Sequence, residues 1–248
     1  MQAHVEASIA LPMQIGHAVR SAVSAVAMVE VGMDGPHDAL KGPFGYSELI
    51  EPLELRRYTG ELGTRWRIGE VAIKPFSSGR ASHGALGELE TLRRDGLRLV
   101  DVAKVELFAP PLIERLVGRP YREEMSAAYA RLRLAILAPL MLRDGLINPA
   151  LFEGDAIHAE ELTALARSAS VKCDEDGDGN ATVPQRLVVK CHDGTVIERE
   201  IAAILGSIEN PMDASQRRVK YDLCRKLARS CTDPRLFDNP LSYAVEPR

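Results

Sequence analysis

Apolar residues recur at helical spacing from Pro12 to Val31, where Ile15, Val19, Val23 and Val26 form one stripe and alanines occupy most of the remaining positions. A helix that is small and apolar nearly all round is expected to pack against other helices on several sides, and Gly32 ends it. The next stretch, GMDGPHDALKGPFGYSELI, mixes turn residues with short helical pieces. Trp66 to Lys74 alternates loosely and runs into KPFSSGR, a Pro and Gly interruption. Ser82 then stands as an N-cap for a helix carrying Leu86, Leu89 and Leu92 and stopping at Gly96.

Val100 to Phe108 reads as a strand whose alternation slips one residue between Val102 and Val105, the mark of a bulge, and Pro110 and Pro111 stop it. A long Ala and Leu helix is expected from Pro120 to about Arg143, closed by Gly145, and a shorter one from about His158 to Arg167. Residues 168–173, 186–192 and 195–203 alternate as strands. Asp193-Gly194 joins the last two as a two-residue hairpin, which predicts antiparallel pairing. Asp213 and Gln216 make a capping box for a final helix bearing Val219, Leu223 and Leu227. With no βαβ repetition and no internal repeat, the pattern predicts an α+β chain. Residues 1–72 form part of a helical domain, 73–206 a smaller α/β domain with an antiparallel sheet, and 207–248 the return to the helical domain.

Composition narrows the function classes. The 31 Lys and Arg nearly balance the 35 Asp and Glu, for a net charge of -4, so no broad positive field exists to hold nucleic acid. The longest apolar run, residues 18–31, is interrupted by Arg20 and Glu30 and is too short to span a bilayer, and no secretory leader is evident, so a cytoplasmic protein with no membrane partner is expected. Cys173, Cys191, Cys224 and Cys231 lack C-x-x-C spacing and read as free thiols, and no histidine sits at metal spacing from another. Neither a metal nor a cofactor is expected, since no glycine-rich phosphate loop or nucleophile elbow is present.

The segment IKPFSSGRASHG gathers Lys74, Arg80 and His83 around a turn that feeds a helix start. Such a segment suits anions: backbone N–H groups at the helix start near Ser82 favour negative charge, Arg80 offers a fork for a carboxylate, and Lys74 supplies a point charge. His83 titrates near neutral pH. Removing a proton beside a carboxylate builds a dianion, which cations and donors placed around it stabilise without a metal. The bland alternative is a solvated basic turn. A second motif, Asp174 to Gln185, matches the first half of a calcium loop through Asp174, Asp176, Asp178 and Gly179, but Gln185 replaces the bidentate Glu and Pro184 stiffens the loop. It reads first as an acidic, solvated loop.

The run IKPFSSGRASHG resembles the Lys-Pro-aromatic segment ending in Thr-His or Ser-His of the MmgE/PrpD family, which includes 2-methylcitrate dehydratase, cis-aconitate decarboxylase and iminodisuccinate epimerase. LPMQIGHAVRSAV, GPHDALKGPFGY, LMLRDGLI, CHDG and NPMDASQRRVKYDL are similar in the same order and extend the resemblance over nearly the whole chain. The resemblance implies a helical domain interrupted by an α/β lid-like domain. It further implies a metal-independent lyase or isomerase that abstracts a proton from a small di- or tricarboxylic acid. Lys74 matches the family's active-site lysine and His83 the motif's terminal histidine, making these two the catalytic candidates; Arg80, Ser77, Ser78 and Ser82 are the substrate-binding candidates.

The chain departs from the family pattern at several places. Ser77, Ser78 and Gly79 fill a variable middle that often carries Cys or His. Leu11 stands where the decarboxylase branch has a lysine, and Ile136 where many members have a tyrosine. Family members also begin with a further helical region that supplies an acidic residue and a histidine, and this chain starts after it. By itself it is therefore expected to show negligible turnover and to associate, as a homodimer or larger, through its first helix. The alternatives from other classes are a truncated, non-catalytic assembly module and a calcium-binding module.

Overall fold

A computed structural model describes residues 10–228 apart from 51, 53, 55 and 175–177, together with Ser8 and Asn239. The side chain of Leu11, the middle of the acidic loop and Cys231 lie outside the described residues. The chain divides into two compact units, residues 1–71 and 72–248, and the final helix is grouped with the second.

In the first unit the described residues form helices and turns only. Helix α1 spans Ala10–Glu30, followed by the single turns α2 (Tyr46–Leu49) and α3 (Arg56–Thr59) and a 3₁₀ turn at Arg67–Glu70. Helix α1 has the length its pattern predicts, but its surroundings differ. Ile15, Val19, Val23 and Val26 are all 60% or more exposed, and every other residue from Pro12 to Leu40 is exposed as well. The expectation that this helix packs on several sides is therefore corrected for this chain. Single helical turns cannot cover three or more turns of a 21-residue helix. Beyond it, Arg65 and Arg67 share Glu61 and Glu70 in an exposed ionic cluster.

The second unit carries the core. Its helices are α4 (His83–Arg94), α5 (Pro111–Val117), α6 (Ala127–Ala130), α7 (Leu134–Asp144), α8 (Glu160–Ser168) and α9 (Ala214–Leu227). Its strands are β1 (Val102–Ala109), β2 (Ser170–Cys173), β3 (Gln185–Cys191) and β4 (Val196–Ile201), in the order β2-β1-β3-β4. Val105, Leu107, Leu187 and Val189 alternate onto one sheet face and are fully buried with Leu86 and Leu89 of α4, Leu137 and Leu140 of α7 and Leu162 of α8. The α+β class is thus as expected, and so is the slip in β1, where the register shifts between Val102 and Lys104. Strands β3 and β4 pair antiparallel around Asp193-Gly194, where Asp193 Oδ1 accepts from the Thr195 N–H at 2.8 Å.

Two expectations are overturned. The sheet is mixed, because β2 lies parallel to β1 on the outer edge, reached by the crossover that contains α5 to α8. The single long helix is also broken. Ser126 accepts from the Tyr129 N–H at 3.1 Å and caps α6, Arg133 is extended (φ -128°, ψ 118°), and α7 begins only at Leu134. Arg131 and Arg133 explain the break: in an otherwise apolar run they turn their guanidiniums onto the carbonyls of Pro149, Leu116 and Leu132. Gly145 ends α7 in the left-handed region (φ 74°), and Asp213 and Gln216 cap α9 reciprocally at 2.8 and 2.9 Å.

Candidate functional site

The segment from Ile73 to His83 is pinned at both ends by backbone. The Ile73 N–H donates to the Gly206 carbonyl at 2.8 Å, and Gly206 holds φ +88°, a conformation that side chains rarely adopt. At the turn the Gly79 N–H donates to the Arg131 carbonyl at 3.2 Å, and a Cβ on Gly79 would stand 2.9 Å from Leu132 Cδ2. A side chain at position 79 would have to displace the end of Leu132. A 3₁₀ turn at Arg80–Ser82 leads into α4.

Ser82 does not cap α4 as expected. Its backbone is already helical (φ -87°, ψ -11°), and its hydroxyl donates back to the Gly79 carbonyl at 2.8 Å and lies 3.1 Å from Ser78 Oγ. The preceding 3₁₀ turn removes the extended backbone that capping requires. The segment therefore splits in two. Lys74, Ser77 and Arg80 form an exposed rim, with Lys74 Nζ donating to the Ser78 carbonyl at 3.2 Å. Ser78, Ser82 and His83 form a buried floor, His83 being 0% exposed.

His83 is the unusual group. Its ring stands edge-on to Phe76, centroids 5.4 Å apart, and neither ring nitrogen has a hydrogen-bond partner of good geometry among the described residues. Burial first, then the positive charges of Lys74, Arg80 and Lys220, push its pKa down to about 4, against a smaller upward push from the Ser78 backbone. The imidazole is neutral at pH 7, with one donor and one acceptor idle. Pro75 and Phe76 also wall a cavity of about 330 Å³ between α4 and α9, which Glu90, Arg94, Met212 and Lys220 help to line. Burial raises the Glu90 carboxyl above its usual range, opposed by the Arg94 charge. Lys74, Arg80 and His83 do not line that cavity.

Arg131 and Arg133, which pack behind Gly79, carry more of this region's charge than the sequence pattern suggested. Two arginines two residues apart cannot both face out of one apolar helix, and that was the available signal. In the acidic loop, Gln185 is turned inward and donates to the Thr182 carbonyl at 2.7 Å, and Asp178 Oδ1 accepts from the Asn180 N–H. Among the described residues no group of three or more His, Cys, Asp or Glu could hold a metal ion, and no helix is long and apolar enough to cross a membrane. No protein-family model matches the chain, and no curated protein matches it.

Proposed function

We propose that the Lys74 to His83 segment is a proton-transfer site for a small di- or tricarboxylic acid, of the lyase or isomerase kind that the MmgE/PrpD resemblance implies. The observation that carries the reading is a neutral, unpartnered imidazole held one layer beneath two exposed cations. Lys74 and Arg80 on the rim take the carboxylates, Arg80 through its fork. His83 supplies the group that accepts or returns the proton, and its burial keeps it unprotonated and ready at neutral pH. An unsatisfied buried histidine costs about 1–3 kcal/mol, a cost that active sites tolerate and packing alone does not require.

The test is the pKa of His83, followed by NMR of the imidazole with and without citrate or succinate. Binding at Lys74 and Arg80 neutralises the charges that depress it, so the pKa rises from about 4 as the acid saturates. A His83 resonance that titrates identically with and without the acids would remove the reading. The exposed stripe of α1 favours a second reading, a non-catalytic assembly module, in which the chain associates and His83 is indifferent to carboxylates.

A further inference from the structure

The buried start of α7 holds a positive charge that no carboxylate among the described residues neutralises. Arg133 is 0% exposed, and its Nη1 donates to the Leu116 and Leu132 carbonyls at 3.2 and 2.6 Å, but Nε and Nη2 have no partner. Those two nitrogens form the side of the guanidinium that grips a carboxylate with two parallel hydrogen bonds. Nearby, Arg131 uses Nη2 on the Pro149 carbonyl and leaves its buried Nε unpartnered. Among the described residues no carboxylate is hydrogen-bonded or ion-paired to either arginine. Tyr129 lies against Arg133 with its ring 4.0 Å from the guanidinium carbon, which softens the charge without filling the fork.

Two further features have the same sign. Arg133 is the N-cap of α7, no side chain caps that helix, and its first turn holds no acidic residue, so the helix start itself favours an anion. Arg119 and Arg122 add positive charge around Arg133. A guanidinium does not lose its proton under ordinary conditions, so a buried one without a counter-charge is held at an electrostatic cost that an anion would relieve.

We propose that Arg133, with Arg131 and the start of α7, is a carboxylate-binding clamp for a small organic acid. The clamp stands apart from the proton-transfer reading, since it needs an anion whatever Lys74 and His83 do. It nevertheless lies directly behind their segment, because Gly79 bonds to the Arg131 carbonyl and abuts Leu132. Residues 118–126, which precede α6, contain no helix or strand, and Tyr129 donates to the Pro120 carbonyl there at 3.2 Å.

Calorimetric titration of the full chain with succinate, at constant ionic strength in chloride, tests the clamp, with inorganic phosphate as the second arm. In the Lys74→Ala, Arg80→Ala background, which removes the exposed rim, saturable binding of one succinate per chain is expected, weakened about tenfold or more when Arg133→Met is added and also with Arg133→Lys, which keeps the charge and loses the fork. Because the rim is absent in that background, the remaining binding belongs to the clamp and not to the segment in front of it. Circular dichroism confirms that each variant is folded, and Arg131→Gln gives a second probe if Arg133→Met is not. Absence of saturable succinate binding, equal binding by the folded Arg133 variants, or tighter binding of phosphate than of succinate would each overturn the carboxylate clamp.

Discussion

Replacing His83 by leucine tests whether the imidazole is buried and neutral in the folded chain. In the folded chain the imidazole has a pKa of about 4, against 6.5 for the free group, with burial as the main cause. Between those values the unfolded chain binds a proton that the folded chain refuses. Stability contributed by the neutral histidine is therefore fully present above pH 6.5 and falls as the pH drops toward 4. At about 1.36 kcal/mol per pH unit the gap corresponds to about 3 kcal/mol, an order-of-magnitude figure for a group that is 0% exposed. Leucine removes that dependence altogether. At pH 7 it also relieves two unpartnered nitrogens, worth about 1–3 kcal/mol, and gives up the edge-on contact with Phe76, worth about 0.5–1.5 kcal/mol. The variant should be as stable as the parent or slightly more so at pH 7, and should gain about 3 kcal/mol on it by pH 4. Urea denaturation of both proteins across that range measures the difference. Parallel stability curves would refute the buried, neutral assignment of His83.

Four further outcomes follow from the geometry. Glu106 is 3% exposed beneath Lys104, Lys172 and Lys190, whose hydrogen bonds, Lys172 foremost, hold its carboxyl down to about 2. Its stabilising effect is present above the ordinary value of 4.5 and is lost as the pH falls toward 2, and Glu106→Gln should abolish that acid-limb change in thermal midpoint. Gly206→Ala forces a Cβ into the Ile73 carbonyl at a positive φ, so it should destabilise by about 1–3 kcal/mol and speed amide exchange at Ile73. Leu89→Ala opens a void under the sheet and should cost about 2–5 kcal/mol in denaturant titration. Light scattering should find the full chain associated, and Val23→Glu, a charge on the 66% exposed stripe of α1, should shift it toward monomer.

The parts of the fold legible in the sequence are those set by local chemistry. The Asp193-Gly194 hairpin, the Asp213 and Gln216 box, the slip in β1 and the Gly145 stop all depend on residues within a few positions of one another. Strand order was not legible, because the parallel pairing of Val171 with Leu107 joins residues far apart in sequence and leaves no periodic trace. The break at Arg131 to Arg133 was hidden by strong helix formers on both sides, although two arginines in an apolar run marked it. Ser82 was misread because capping needs an extended backbone, and a 3₁₀ turn had already supplied helical dihedrals there. Within the site, motif residues were readable, but their division into an exposed rim at Lys74 and Arg80 and a buried floor at His83 was not. Burial on that scale is decided in part by what packs from elsewhere, here the Arg131 turn, which joins Phe76 of the segment itself.

The central proposal is that His83 moves a proton on a small carboxylic acid held by Lys74 and Arg80. Exchange in deuterium oxide tests it most directly, because a carbon-bound proton taken up and returned is visible even where the chain by itself completes negligible net turnover. A panel of di- and tricarboxylic acids incubated with the full chain and followed by NMR should show deuterium entering beside a carboxylate in at least one acid. The rate should fall by orders of magnitude in Lys74→Ala and in His83→Asn, while both variants stay folded. No exchange in any acid of the panel, or exchange that persists unchanged in both variants, would contradict the account.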